Sequence, residues 1–162
     1  MLFKQPETRT NPYTGKPMLK NQVPYQAGGI DLKSFKQWFT KHMSDFTHTI
    51  SSKTEYSTLI KNDNDLDVNK VLLFTKKDSV APVFKALSAE FRDRLRFIVV
   101  PIPDTKASKS NLELQTKYEV EEMPQLVVEQ TYDAESGELL SEPVLHRYKS
   151  TNFKFRELKM FL

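Results

Sequence analysis

Glu122-Met123-Pro124-Gln125-Leu126-Val127-Val128 is the stretch from which the fold is read. A hydrophobic residue, Met123, precedes a proline, and the proline opens almost directly onto the apolar run 126–128, which reads as a strand. X-Pro bonds are essentially the only peptide bonds that adopt the cis form in folded proteins. Even there cis is a minority state, so a fold that uses it keeps it for a structural reason. The chain that carries this stretch contains no cysteine. No thiolate is encoded, and dithiol chemistry goes with it.

On either side, apolar runs and helical periodicities alternate. Residues 46–50 read as extended, and Ser52 opens a short helix through Tyr56, Leu59 and Ile60. Val71-Leu72-Leu73-Phe74 reads as a buried strand by its unbroken apolar character. Pro82 begins a helix carrying Val83, Phe84, Leu87 and Phe91 that ends near Arg94. Phe97-Ile98-Val99-Val100 is a second buried strand. After a polar loop from Lys106 to Ser110, a helix carries Leu112, Leu114 and Tyr118 and leads back to Pro124. Ser136-Gly137 marks a hairpin, residues 144–148 form the returning strand, and residues 151–162 make a final amphipathic helix. From 46 to 162 the predicted order is β-α-β-α-β-α-β-β-α. Early alternation of this kind gives a parallel layer, and the closing hairpin adds antiparallel strands.

Residues 1–45 stand apart. Residues 4–24 are rich in Pro, Thr, Asn and Lys, with a turn at Tyr13-Thr14-Gly15-Lys16 and a Gly28-Gly29 pair further on. Asp31 is a plausible N-cap. Leu32, Phe35, Trp38, Phe39 and Met43 then recur at helical spacing, giving an apolar face that needs a partner surface. The two ends of the chain resemble each other. Gly15 precedes Tyr25 by ten residues, and Trp38-Phe39 follow Tyr25 by thirteen and fourteen. Gly137 precedes Tyr148 by eleven, and Phe161-Leu162 follow Tyr148 by thirteen and fourteen. Each unit reads as turn, strand, loop and amphipathic helix, so residues 1–45 are read as the tail of an upstream copy of the downstream domain.

Composition narrows the function classes. Hydrophobic residues make up 38% and charged residues 28% of 162, the balance of one soluble globular domain or of one domain plus a fragment. The net charge of +3 is scattered, which speaks against nucleic acid as a partner. The apolar runs are far too short to span a bilayer, so no membrane contact is expected of this segment. Met1-Leu2-Phe3 runs straight into polar residues, so no signal peptide is read there.

Residues 46–162 resemble a thioredoxin-like domain of the protein disulfide isomerase group. Lys70-Val71-Leu72-Leu73-Phe74 sits where that family's central strand leads into its dithiol motif. Ala81-Pro82 with Val83, Leu87 and Phe91 is similar to its active-site helix. Lys117-Tyr118-Glu119-Val120-Glu121-Glu122-Met123-Pro124 resembles its "tyrosine, x, valine, two residues, hydrophobic, proline" approach to a cis-proline strand, and Gly137-Glu138 then Tyr148 resembles the ending hairpin. The resemblance implies an α/β, thioredoxin-like three-layer fold, with a central mixed β-sheet flanked by helices and Pro124 in the cis form. This sequence departs from the family at the chemistry. The Cys-x-x-Cys would fall within about 74–77, where the residues read Phe74-Thr75-Lys76-Lys77 and are followed by Asp78-Ser79. The preceding strand carries no acid to accept a proton.

Family members that lost the dithiol serve as spacers or bind substrate proteins. The resemblance therefore implies a redox-inactive module, not itself an enzyme and needing no cofactor. Its parent would be a disulfide-isomerase-like or co-chaperone protein of the endoplasmic reticulum lumen. The implied partners are unfolded client polypeptides or another domain of the same protein. The implied peptide-binding residues are Lys76, Lys77, Asp78 and Ser79 on one wall and Met123 and Pro124 on the other. An extended peptide can pair with the backbone before the proline as an added strand, and Met123 offers a deformable apolar contact. A purely structural spacer is the alternative. An enzyme using other polar residues is the third class.

Other chemistry finds little support. His42, His48 and His146 are dispersed, with no i, i+4 pair of the kind that holds a metal. Asn62-Asp63-Asn64-Asp65 looks superficially like a calcium loop. Counted from Asp63, the sixth and twelfth positions are Val68 and Phe74, where the EF-hand needs Gly and Glu. No G-x-S-x-G nucleophile elbow is present.

Overall fold

The computed structural model describes residues 2–3, 22–25, 31–62, 68–77, 79–102, 109–133, 135–150 and 153–162. The turn at Tyr13-Thr14-Gly15-Lys16, the Gly28-Gly29 pair, the polar segment 63–67 and the loop around Lys106 lie outside the described residues, as does Asp78. The chain divides into two compact units, Met1–Asp45 and Phe46–Leu162.

In the first unit, strand β1 (Leu2–Phe3) pairs antiparallel with β2 (Gln22–Val23), and helix α1 (Leu32–His42) follows. Asp31 starts the helix. Its carboxylate accepts from the Lys33 and Ser34 amides at 2.9 Å each, filling two of the donors that a helix start leaves open. Hydrogen bonds from Ser34, then from Lys33, hold this exposed carboxyl below its usual range. Lys41 and His42 close the helix, where the dipole favours positive charge. The His42 ring lies over Trp38, with Nδ1 2.7 Å from the Trp38 carbonyl.

In the second unit the elements are β3 (Thr47–Thr49), α2 (Lys53–Asn62), β4 (Asn69–Thr75), α3 (Pro82–Glu90), β5 (Leu95–Pro101), α4 (Lys109–Lys117), β6 (Gln125–Asp133), β7 (Glu138–Arg147) and α5 (Phe155–Phe161). The sheet order is β3-β5-β4-β6-β7. Strands β3, β5 and β4 run parallel, β6 runs antiparallel to β4, and β7 antiparallel to β6. This is the element order and mixed sheet that the sequence predicts. Side chains alternate across the strands and split the core in two. Leu72, Phe74, Ile98, Val100 and Val127 face one layer with Tyr56, Leu114 and Tyr118 from α2 and the region of α4. Val71, Leu73, Phe97, Val99 and Leu126 face the other, with Phe84 and Leu87 of α3 and Leu158 of α5. Burial on both faces is why β4 and β5 read as unbroken apolar runs.

Several boundaries differ from the sequence reading. Helix α3 stops at Glu90 rather than near Arg94, because Phe91 turns into the core and its carbonyl accepts from the Arg94 and Leu95 amides. Strands β6 and β7 extend beyond 126–128 and 144–148. Their hairpin reaches Asp133 and Glu138, across a register shift between Gln130 and Tyr132. The final helix is shorter than 151–162 and begins at Phe155. Gly137, at φ 72°, takes the left-handed conformation that the hairpin turn needs and that glycine tolerates.

Candidate functional site at the Pro124 end of the sheet

The central strands end beside each other. In the β4–β6 register Phe74 lies opposite Gln125, which brings Thr75-Lys76-Lys77 next to Pro124. Thr75 is buried and anchors both sides of this corner. Its hydroxyl accepts from the Lys77 amide at 3.1 Å, and its carbonyl accepts from the Ile102 amide at 2.8 Å. The chain then enters α3 through Pro82 at the first helical turn, where a missing N–H costs nothing.

The approach from the other side is fixed by the turn after α4. Glu119 takes a positive φ of 51°, an uncommon conformation for a residue with a side chain. Arg147 of β7 donates to the Tyr118 carbonyl at 3.2 Å and to the Glu119 carboxylate at 2.7 Å. Gln115 donates to the Val120 carbonyl at 2.9 Å. Val120 is buried, Glu121 and Glu122 are exposed, and Met123 is half-buried. The Met123–Pro124 peptide bond is cis.

Between these segments lies a cavity of about 380 Å³. Its apolar lining includes Leu73, Val83, Phe84, Met123, Pro124 and Leu158, with Phe153 beside them. Thr75, Lys76, Lys77 and Ser79 supply the polar part. Five of the six residues singled out in the sequence therefore border one cavity: Lys76, Lys77, Ser79, Met123 and Pro124. Asp78 lies outside the described residues. The sequence reading missed the depth of the cavity. Phe153 and Leu158 come from the C-terminal segment, and Leu73 and Phe84 are core residues reached from outside. Nothing local in the sequence marks these four as lining one space.

No cysteine exists to form a thiolate. Among the described residues that line the cavity there is no carboxylate and no imidazole. Among the described residues no group of His, Asp or Glu is arranged to hold a metal.

A second polar cluster sits in the opposite layer and was not foreseen. The Tyr56 and Tyr118 hydroxyls both donate to Glu129 Oε2, at 2.6 and 2.7 Å, and lie 2.6 Å from each other. Lys117 reaches over the Tyr118 ring, with Nζ 3.1 Å from its hydroxyl and 3.8 Å from Glu129 Oε1. Burial, then the Glu129 charge, pushes the Tyr56 hydroxyl well above the usual tyrosine range. Tyr118 moves the same way, by burial and then by Tyr56 and Glu129. Lys70, opposite Glu129 in the β4–β6 register, is also buried, and burial lowers its ammonium below the usual lysine range. A buried carboxylate is present, one strand over and in the tyrosine layer. The available signal was Glu129 itself, two residues after Val127 and so on the same core-facing side of β6.

No protein-family model matches the chain, and no curated protein sequence matches it. Solved structures do. The crystal structure of ERdj5 in form I superimposes with a TM-score of 0.54 at 14% identity, covering 90% of this chain and 19% of that one. Full-length ERdj5 gives 0.52 at 14%, covering 91% and 20%. Thioredoxin O2 from Arabidopsis thaliana, in its oxidized state, gives 0.50 at 17%, covering 72% of this chain and 91% of its own. This chain thus spans about a fifth of the ERdj5 chain. At these identities the likeness is one of fold, and the fold is thioredoxin-like.

Proposed function

We propose that residues 46–162 form a non-catalytic thioredoxin-like module that holds extended segments of client polypeptides in the cavity beside Pro124. The parent is read as a disulfide-isomerase-like or co-chaperone protein of the endoplasmic reticulum lumen. The observation that carries the binding reading is the convergence of Lys76, Lys77, Ser79, Met123 and Pro124 on one apolar-floored cavity. Its volume of about 380 Å³ falls within the range of about 300–1,000 Å³ over which concave sites hold ligands. Met123 supplies a thioether contact that adapts to different apolar side chains. The backbone entering Pro124 offers groups with which an extended segment can pair. With no thiol, binding proceeds without exchange chemistry. The parent and its compartment rest on the family resemblance, together with the likeness of fold to ERdj5.

The test is an NMR titration of the isotopically labelled chain with reduced, alkylated α-lactalbumin as the unfolded client. Amide shifts are expected at 75–77, 79–81 and 122–123. Met123→Glu is expected to weaken binding at least tenfold while leaving the circular dichroism unchanged. A titration to saturating client that moves no amide in these segments leaves the domain as a spacer.

A further inference from the structure

The two ends of the chain carry the same small piece of structure, and among the described residues the apolar positions of the first copy are the more exposed. Helix α1 begins at Leu32 and α5 at Phe155, a shift of 123 residues. Each follows an antiparallel pair of strands. Tyr25 and Tyr148 are related by the same shift, and so is one of the rings that each meets. Tyr25 lies 5.2 Å from Trp38 between centroids, and Tyr148 lies 5.2 Å from Phe161. The shift puts Phe35 where α5 has Leu158 and Leu32 where α5 has Phe155.

Leu158 is 1% exposed, seated with Val71, Leu73 and Leu126 on one face of the five-stranded sheet and with Phe84 of α3. Phe35, its counterpart, is 48% exposed, and Leu32 is 69% exposed. A helix of this length gains most of its stability from what its apolar face packs on. A two-stranded pair such as β1–β2 is marginal by itself. The second unit shows what such a hairpin and helix pack on. Residues 46–162 are 117 of the 162 residues, close to the 72% that thioredoxin O2 covers. The ERdj5 matches cover 90% and 91% of the chain, so they take in part of the first unit as well.

We infer that residues 1–45 are the closing hairpin and helix of another thioredoxin-like domain. Leu32, Phe35 and Phe39 seat on the sheet of that domain, which is built by polypeptide N-terminal to residue 1. The covering surface is the chemical equal of the face under Leu158: valine and leucine from the central strands, with phenylalanine from the helix packed on them.

The test compares hydrogen exchange of the α1 amides in the 162-residue chain and in a chain extended by the preceding codons of its gene, through the stretch equivalent to 47–124. Exchange is expected to slow at least tenfold in the extended chain. Leu32→Ser with Phe35→Ser should restore fast exchange and lower the melting of the added domain, leaving the melting of residues 46–162 in place. A reading frame that opens at Met1, or unchanged exchange on extension, overturns the inference. So does protection in the 162-residue chain that grows with concentration, which would mean that a second copy covers the face. Full protection in that chain at every concentration would assign the face to residues 46–162 and overturn it equally.

Discussion

Tyr56 and Tyr118 aim their hydroxyls at one oxygen of a buried carboxylate, and this sets an alkaline limit on the fold. Both hydroxyls have folded-state pKa values raised above the ordinary value of 10.0. Above about pH 10 the unfolded chain gives up these protons while the folded chain keeps them, so unfolding releases protons and stability falls as pH rises. Below that pH their contribution is complete. Chemical denaturation from pH 8 to 11.5 should therefore show a steeper loss for the parent chain than for Tyr56→Phe with Tyr118→Phe. Equal slopes would remove the tyrosines from the account. At neutral pH, Tyr118→Phe alone should cost about 1–3 kcal/mol, because it takes a donor from a buried acceptor. Asn111 is a second residue of this kind. Its amide nitrogen donates to the Ile50 carbonyl at 3.3 Å and the Pro101 carbonyl at 2.7 Å, tying β5 to the chain leaving β3. Asn111→Ala should cost a similar amount in a urea titration.

At the scale of elements, α1 and α5 give a paired prediction. Leu158→Ala empties a fully buried site between α3, α5 and the sheet, and should cost about 2–5 kcal/mol. It also enlarges the cavity that Leu158 lines, so the client binding proposed for that cavity should change along with stability. Phe35→Ala at the corresponding position should cost under about 0.5 kcal/mol in the 162-residue chain, as surface changes do. Equal losses would mean that Phe35 is buried in solution. Most of the element order was legible because burial on two faces writes itself as the unbroken runs 71–74 and 97–100, while helices show a 3.6-residue period. The extent of the β6–β7 hairpin was not. Strand β7 exposes most of its residues, Leu139 and Val144 among them, so no apolar pattern marks where it starts. The rim of the cavity was legible, since Lys76 and Met123 flank short motifs. Its floor was not, because Leu158 lies 85 residues beyond Leu73 in the chain and meets it only through packing.

At the scale of the whole molecule, among the described residues every member of the two hydrophobic clusters comes from residues 50–162. The five-stranded sheet likewise starts at Thr47. The folding cooperativity of such a domain resides in its own hydrophobic core, and the core that residues 46–162 build is expected to melt as one unit. A polypeptide of residues 46–162 alone should therefore unfold in a single transition within about 3 °C of the main transition of the full chain. A 1 kcal/mol loss would already shift a domain of this size by roughly 3–6 °C, so the comparison is sensitive. Differential scanning calorimetry of both polypeptides makes the measurement. A drop of 8 °C or more on removing residues 1–45 would mean that the first unit stabilises the second, and the division into independent units would fail. A matching midpoint would leave α1 as a helix whose apolar face serves something other than residues 46–162, which is the condition the exchange experiment then builds on.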